Sequence, residues 1–157
     1  MGIRLAQIDD LDAINTLLYQ VAAVHHDGRP DLFRAGCKKY TDGELCILIE
    51  QEQDTRPIFV FEEDGAVLGY AFCILIDYSS EHVLSPIRSL YIDDLCVDEH
   101  CRGKHVGTKL FEHVKAYAKE IGCYNVTLNV WACNPTAMKF YEKCGMQVQK
   151  MGMETVL

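Results

Sequence analysis

Apolar positions along the chain switch repeatedly between the two periods that mark strands and helices. Ile3-Arg4-Leu5 alternates as a short strand does. Asp9 or Asp10 can then cap a helix in which Leu11, Ile14, Leu17, Leu18 and Val21 recur at helical spacing. His25-His26-Asp27-Gly28-Arg29-Pro30 reads as a loop by its glycine and proline. Thr41-Asp42-Gly43-Glu44 has capping-box spacing ahead of Leu45, Leu48 and Ile49, which predicts a second helix ending before Pro57. Two apolar stretches, 58–61 and 66–76, flank Asp64-Gly65, a dipeptide suited to a type I′ hairpin.

Beyond a polar loop over 77–86, Leu90 to Val97 predicts a fourth strand, interrupted by the adjacent carboxylates Asp93 and Asp94. A glycine-containing loop leads into a helix with Leu110, Phe111, Val114, Ala118 and Ile121 on one face, stopped at Gly122. Val126 to Trp131 reads as a strand, Asn134-Pro135 opens a last helix closed by Gly145, and 146–151 and 154–157 are expected to form a closing pair of strands. The crossover from 90 to 131 implies parallel strands, whereas 58–76 is a hairpin, so the sheet is mixed. The expected class is α/β (α+β): six to seven strands flanked by about four helices, in one domain over residues 1–157.

Composition narrows the function classes. A net charge of −8 argues against a nucleic-acid backbone as the main partner. No apolar run approaches the ~20 residues needed to cross a bilayer. The eight cysteines lack a CxxC pair and mostly adjoin apolar residues, so they read as buried or half-buried thiols of a reducing, cytoplasmic compartment. The adjacent His25 and His26 are poorly spaced as metal ligands, and no metal is expected.

The informative stretch is Cys101-Arg102-Gly103-Lys104-His105-Val106-Gly107-Thr108. A loop that runs from a strand into a helix N-terminus offers unpaired N–H groups and a positive dipole end to an anion, and Arg102 and Lys104 add charge. A nucleotide P-loop is excluded, because the order is Gly107-Thr108-Lys109 rather than Gly-Lys-Ser/Thr. A dinucleotide fingerprint fits weakly, since it belongs after a first strand and needs a third glycine.

Arg102 to Gly107 resembles the pyrophosphate loop of the GNAT superfamily of N-acetyltransferases, although His105 stands at a family glycine. Asp93-Asp94-Leu95-Cys96-Val97 is similar to that family's fourth strand, and Asn134-Pro135 through Tyr141 to Gly145-Met146 to its second cofactor motif. The resemblance implies acetyl-CoA as cofactor, held by the backbone of Leu95, Cys96 and Val97, by Arg102 through Thr108 (Val106 included), and by Asn134. It also implies direct transfer of acetyl to a primary amine of a small molecule or peptide in a ternary complex. Deprotonating an alkylammonium at pH 7 costs roughly 4.6 kcal/mol, from a pKa about 3.4 units above the medium. Asp93 or Asp94 is the expected base, with Asp93 favoured by position, and Tyr141 the expected general acid. Adjacent strand residues point to opposite faces, so only one carboxylate reaches the substrate directly unless a bulge intervenes.

Other roles compete. Asn134 can be a plain helix cap, and Trp131 and Tyr78 can be packing residues or line an acceptor pocket. Cys101 and Cys133 lie beside the cofactor motifs, but no cysteine–histidine pairing can be read for a covalent route. Asn129 stands where ribosomal-protein acetylators tend to carry glutamate, which lowers that assignment. A non-catalytic acyl-CoA-binding or regulatory module is the alternative, supported by His105 and opposed by Tyr141 with the strand carboxylates. Dimers are common in the family, and a homodimer stays open.

Overall fold

The computed structural model describes residues 1–101 and 103–157. Five strands form one sheet in the order β1 (Gly2–Leu5), β2 (Ile58–Glu63), β3 (Ala66–Asp77), β4 (Arg88–Val97) and β5 (Asn125–Leu128). The first four pair antiparallel and β5 joins β4 in parallel, which is the mixed sheet expected. Four α-helices accompany it: α1 (Leu11–Gly28), α2 (Asp42–Gln51), α3 (Val106–Glu120) and α4 (Pro135–Lys143).

The central strands carry near-continuous apolar runs because both their faces are covered. Val60, Tyr70 and Phe72 pack with Leu17, Leu45 and Leu48 of α1 and α2. Phe59, Ala71 and Cys73 belong to the opposite cluster, with Leu110, Phe111 and Val114 of α3. Local turn and cap chemistry behaves as expected: Asp64 and Gly65 both take positive φ at the β2–β3 hairpin. The Thr41 hydroxyl and Glu44 carboxylate each accept from the other's backbone N–H.

Several expectations need correction. No closing strands form: among the described residues the sheet has five strands rather than six or seven, and 146–157 lies outside it. The fifth strand stops at Leu128 instead of Trp131. The segment read as a loop at His25 to Gly28 is instead the last turn of α1. Gly28 is the last residue of that helix, and Cys133 packs against it: a Cβ there would come within 2.7 Å of Cys133 Sγ. Cys37 and Cys133 are exposed, whereas only Cys73 and Cys96 are fully buried. Among the described residues no helix is long and apolar enough to cross a membrane.

Candidate active site

A bulge in β4 organises the site. Phe72 of β3 stands opposite Asp94 and the next residue, Cys73, opposite Ile92, which leaves Asp93 as the extra residue. The side-chain parity of β4 therefore changes. Leu90 and Ile92 face the α3 cluster before the bulge, and Leu95 and Val97 face it afterwards. Asp93 and Asp94 are consequently brought to the same, α1–α2 face, which strict alternation forbids.

Each carboxylate meets a tyrosine there. The Tyr70 hydroxyl donates to Asp94 Oδ2 at 2.8 Å. The Tyr40 hydroxyl donates to Asp93 Oδ2, and Lys39 Nζ lies 2.8 Å from Asp93 Oδ1. Tyr40 is stacked on Phe72, with ring centroids 5.3 Å apart, and Arg56 Nη2 donates to its hydroxyl at 3.4 Å. Burial raises the Asp94 pKa to about 6, against the lowering effect of the Tyr70 hydrogen bond.

Past Ile92, β4 and β5 part. Their ladder ends at the Ile92–Leu128 pair, so the edge of 93–97 that faces away from β3 has no strand partner. Tyr141 of α4 packs against the α3-side cluster that also holds Leu95, Val97 and Leu128. Its hydroxyl is pushed well above the usual phenol range, first by burial and then by the Asp94 carboxylate, and so stays protonated. Its ring leans on Phe140 and Phe111 at centroid distances of 5.0 and 6.2 Å.

The opening continues into a cleft of about 430 Å³ lined by Leu95, Val97, Cys101, Gly103, His105, Val106, Gly107, Thr108, Phe140 and Lys143. Seven of these are residues that the sequence assigns to a cofactor. Arg102 lies outside the described residues. Lys104 pairs with Glu63 at 3.7 Å, and Cys96 points away, its Sγ donating to Leu17 O. Asn134 caps α4, its Oδ1 accepting from Ala137 N at 3.1 Å.

His105 occupies the N-cap of α3 with φ +60°, ψ +20°, the left-handed conformation that glycine adopts without strain. Histidine at the family glycine position thus keeps the backbone shape. Gly107 has a different reason to be glycine: a Cβ there would lie 3.2 Å from Phe140 Cζ and 3.5 Å from Val97 Cγ2. Its absence lets the first turn of α3 sit against α4 and β4. The free N–H groups of that first turn face the cleft region and can hold an anion.

Tyr40, Tyr70, Lys39, Phe140 and Lys143 escape sequence reasoning. Phe140 alone carried a signal, as the neighbour of Tyr141; the others become site residues only through pairings distant in sequence.

The matching family model is the acetyltransferase (GNAT) family, over residues 21–146. The chain belongs to this family. The GNAT fold is shared closely with a mutant form of the BH1408 protein of Bacillus halodurans, at a TM-score of 0.93 and 29% identity over 100% of this chain and 99% of that one. The glucosamine-6-phosphate N-acetyltransferase structure from Arabidopsis thaliana matches at 0.68 and 26% identity, covering 99% of this chain and 97% of that one. A glucosamine 6-phosphate N-acetyltransferase sequence from the same plant is 40% identical over 63 residues, 40% of each chain. The matched segments span about two fifths of the first curated relatives' length.

Proposed function

We propose that the protein is an acetyl-CoA-dependent N-acetyltransferase that acetylates a primary amine of a small molecule or peptide by direct attack in a ternary complex. The observation that carries this reading is the unpaired β4 edge at 93–97, which adjoins the cleft at the α3 N-terminus through Leu95 and Val97 and carries Asp94, whose charge is felt by the Tyr141 hydroxyl. The residues fit the cofactor. The unpaired β4 edge at Leu95, Cys96 and Val97 suits an extended amide-bearing arm, by the same backbone pairing that adds a strand to a sheet. Gly103, His105, Val106, Gly107 and Thr108 present the helix N-terminus to a pyrophosphate, with Lys104 and Lys143 as nearby cations. Acetyl-CoA would supply a thioester acetyl group there.

Asp94 is the better base on this reading, in place of the Asp93 favoured from sequence. Its pKa near 6 leaves it ionised at neutral pH but closer to the operating pH than an ordinary carboxylate. Tyr70 holds it in place. Asp93, paired with Lys39 and Tyr40, orders the acceptor side instead. Tyr141, kept protonated, donates to the departing sulfur. The phosphorylated amino sugar in the Arabidopsis relative's name puts amino sugar phosphates among the acceptors to test.

Thiol release from acetyl-CoA, followed over a panel of amino sugar phosphates, polyamines, aminoglycosides, amino acids and peptides, tests the proposal. Acceptor-dependent release supports it. Tight acetyl-CoA binding without acceptor-dependent release favours a non-catalytic acyl-CoA-binding module.

A further inference from the structure

The ammonium of Lys39 is held beside the carboxylates of the β4 bulge, where an acceptor amine would have to come. Its Nζ lies 2.8 Å from Asp93 Oδ1, 3.4 Å from the Asp93 carbonyl oxygen and 5.8 Å from the centroid of the Tyr40 ring. A carboxylate, a carbonyl and an aromatic face each hold an alkylammonium, the first two by hydrogen bonds and the third through the ring quadrupole. Asp93 is the bulged residue at the start of the edge that no strand covers, and Asp94 turns to the same face. The Lys39 charge reaches Asp94, opposing the rise in its pKa from burial.

Lys39 is placed there by its neighbours in sequence. Lys38 donates to Asn15 of α1 and pairs with Asp42 of α2. Tyr40 stacks on Phe72 and donates to Asp93. The chain between α1 and α2 is therefore pinned on both sides of Lys39, whose own side chain stays 47% exposed. Other lysines are engaged elsewhere: Lys104 by Glu63 and Lys115 by Glu112, while Lys143 lines the cofactor cleft. A primary amine fixed beside a base replaces the encounter with a free acceptor.

Resting on the transferase reading above, we infer that Lys39 is a self-acetylation site: without an acceptor, the acetyl group of bound acetyl-CoA passes to Lys39 Nζ. A C–N bond forms at the thioester carbonyl and the C–S bond breaks. Nζ gives one proton to Asp94 before it attacks and a second as the amide forms. The second replaces the proton that Tyr141 gives to the sulfur, so the products are acetylated Lys39, the free thiol and one proton released through Asp94. The acetylated side chain is neutral, so its ion pair with Asp93 is lost and an amide fills the place of the acceptor ammonium.

Incubation of the full chain with acetyl-CoA and no acceptor, followed by intact-mass and peptide mass spectrometry, should show a single acetyl group per chain, on Lys39. Asp94→Asn should slow the labelling on the order of 100-fold, because the base is lost. Tyr141→Phe should slow it as well, a second arm where Asp94→Asn fails to fold. Lys39→Arg keeps a cation beside Asp93 without an acylable amine and should abolish it. Acetylation spread over the exposed lysines, or labelling of Lys39 at the parent's rate in either folded variant, is plain chemical acylation and overturns the inference. Thiol release over the acceptor panel separates the inference from the transferase reading. Acceptor-dependent release with Lys39 unlabelled overturns self-acetylation alone, Asp94-dependent labelling of Lys39 supports both, and bound acetyl-CoA with neither release nor label removes both.

Discussion

The Tyr70 hydroxyl donates to Asp94 Oδ2 at 2.8 Å across the β3–β4 ladder, next to the position where a bulge turns Asp94 onto the α1–α2 face. That bond opposes the burial that raises the Asp94 pKa to about 6. Tyr70 thereby positions a carboxylate and offsets part of the rise in pKa that burial imposes on it.

Replacing Tyr70 with Phe removes the donor while preserving most of a fully buried ring. The Asp94 pKa should rise, and with it the acidic limb of the kcat/KM profile, so that activity lost at neutral pH returns at higher pH. An acidic limb that does not move would separate Tyr70 from the base. The variant should also lose stability, on the order of 1 to 3 kcal/mol, because a charged acceptor loses a buried partner.

Asp94→Asn should stabilise the fold at neutral pH. A carboxylate whose pKa is raised from 3.8 to about 6 in the folded state binds protons more tightly folded than unfolded. Its ionisation therefore costs nothing below pH 3.8 and its full amount above pH 6. The gain of the variant should grow through that window to about 3 kcal/mol at most, read by urea unfolding at several pH values. A variant less stable than the parent at pH 7 would contradict the burial argument.

The sequence made much of this architecture legible because the relevant rules are local. Thr41 with Glu44, Asp64 with Gly65, and Asn134 with Pro135 each act within four residues, and each forms the cap or turn expected. What escaped depends on partners far along the chain. The bulge at Asp93 is a property of the β3–β4 register, and Tyr40 reaches Asp93 from 53 residues away. The closing strands expected at 146–151 and 154–157 do not form, because a strand also needs a partner within reach and the backbone of 147–157 makes no hydrogen bond to a described residue. His25 to Gly28 reads as a loop from its glycine and Pro30, whereas α1 continues through Gly28, its last residue, and breaks only ahead of the proline.

His105→Gly should raise stability by about 1 kcal/mol, since φ +60° strains a histidine and not a glycine. Denaturant unfolding reads the gain. A loss would mean that the imidazole makes contacts worth more than the backbone strain.

Gly107→Val would force a side chain against Phe140 and Val97, so α3 and α4 must move apart. Both stability and acetyl-CoA affinity should fall, by calorimetry, because the same turn packs α4 and lines the cleft. Unchanged affinity would dissociate the helix N-terminus from the cofactor.

Tyr141→Phe should lower kcat while leaving acetyl-CoA affinity nearly intact, since the ring keeps its packing on Phe111 and Phe140 and only the proton donor is lost. Equal turnover in the two proteins would remove Tyr141 from the acid role.

The most direct test is the rate of acceptor-dependent thiol release from acetyl-CoA, measured against pH in the parent protein and in Asp94→Asn. The account predicts a parent rate that rises through a titration near pH 6 and a variant that binds acetyl-CoA but has lost that rise. A variant with the parent's rate and pH profile would contradict it.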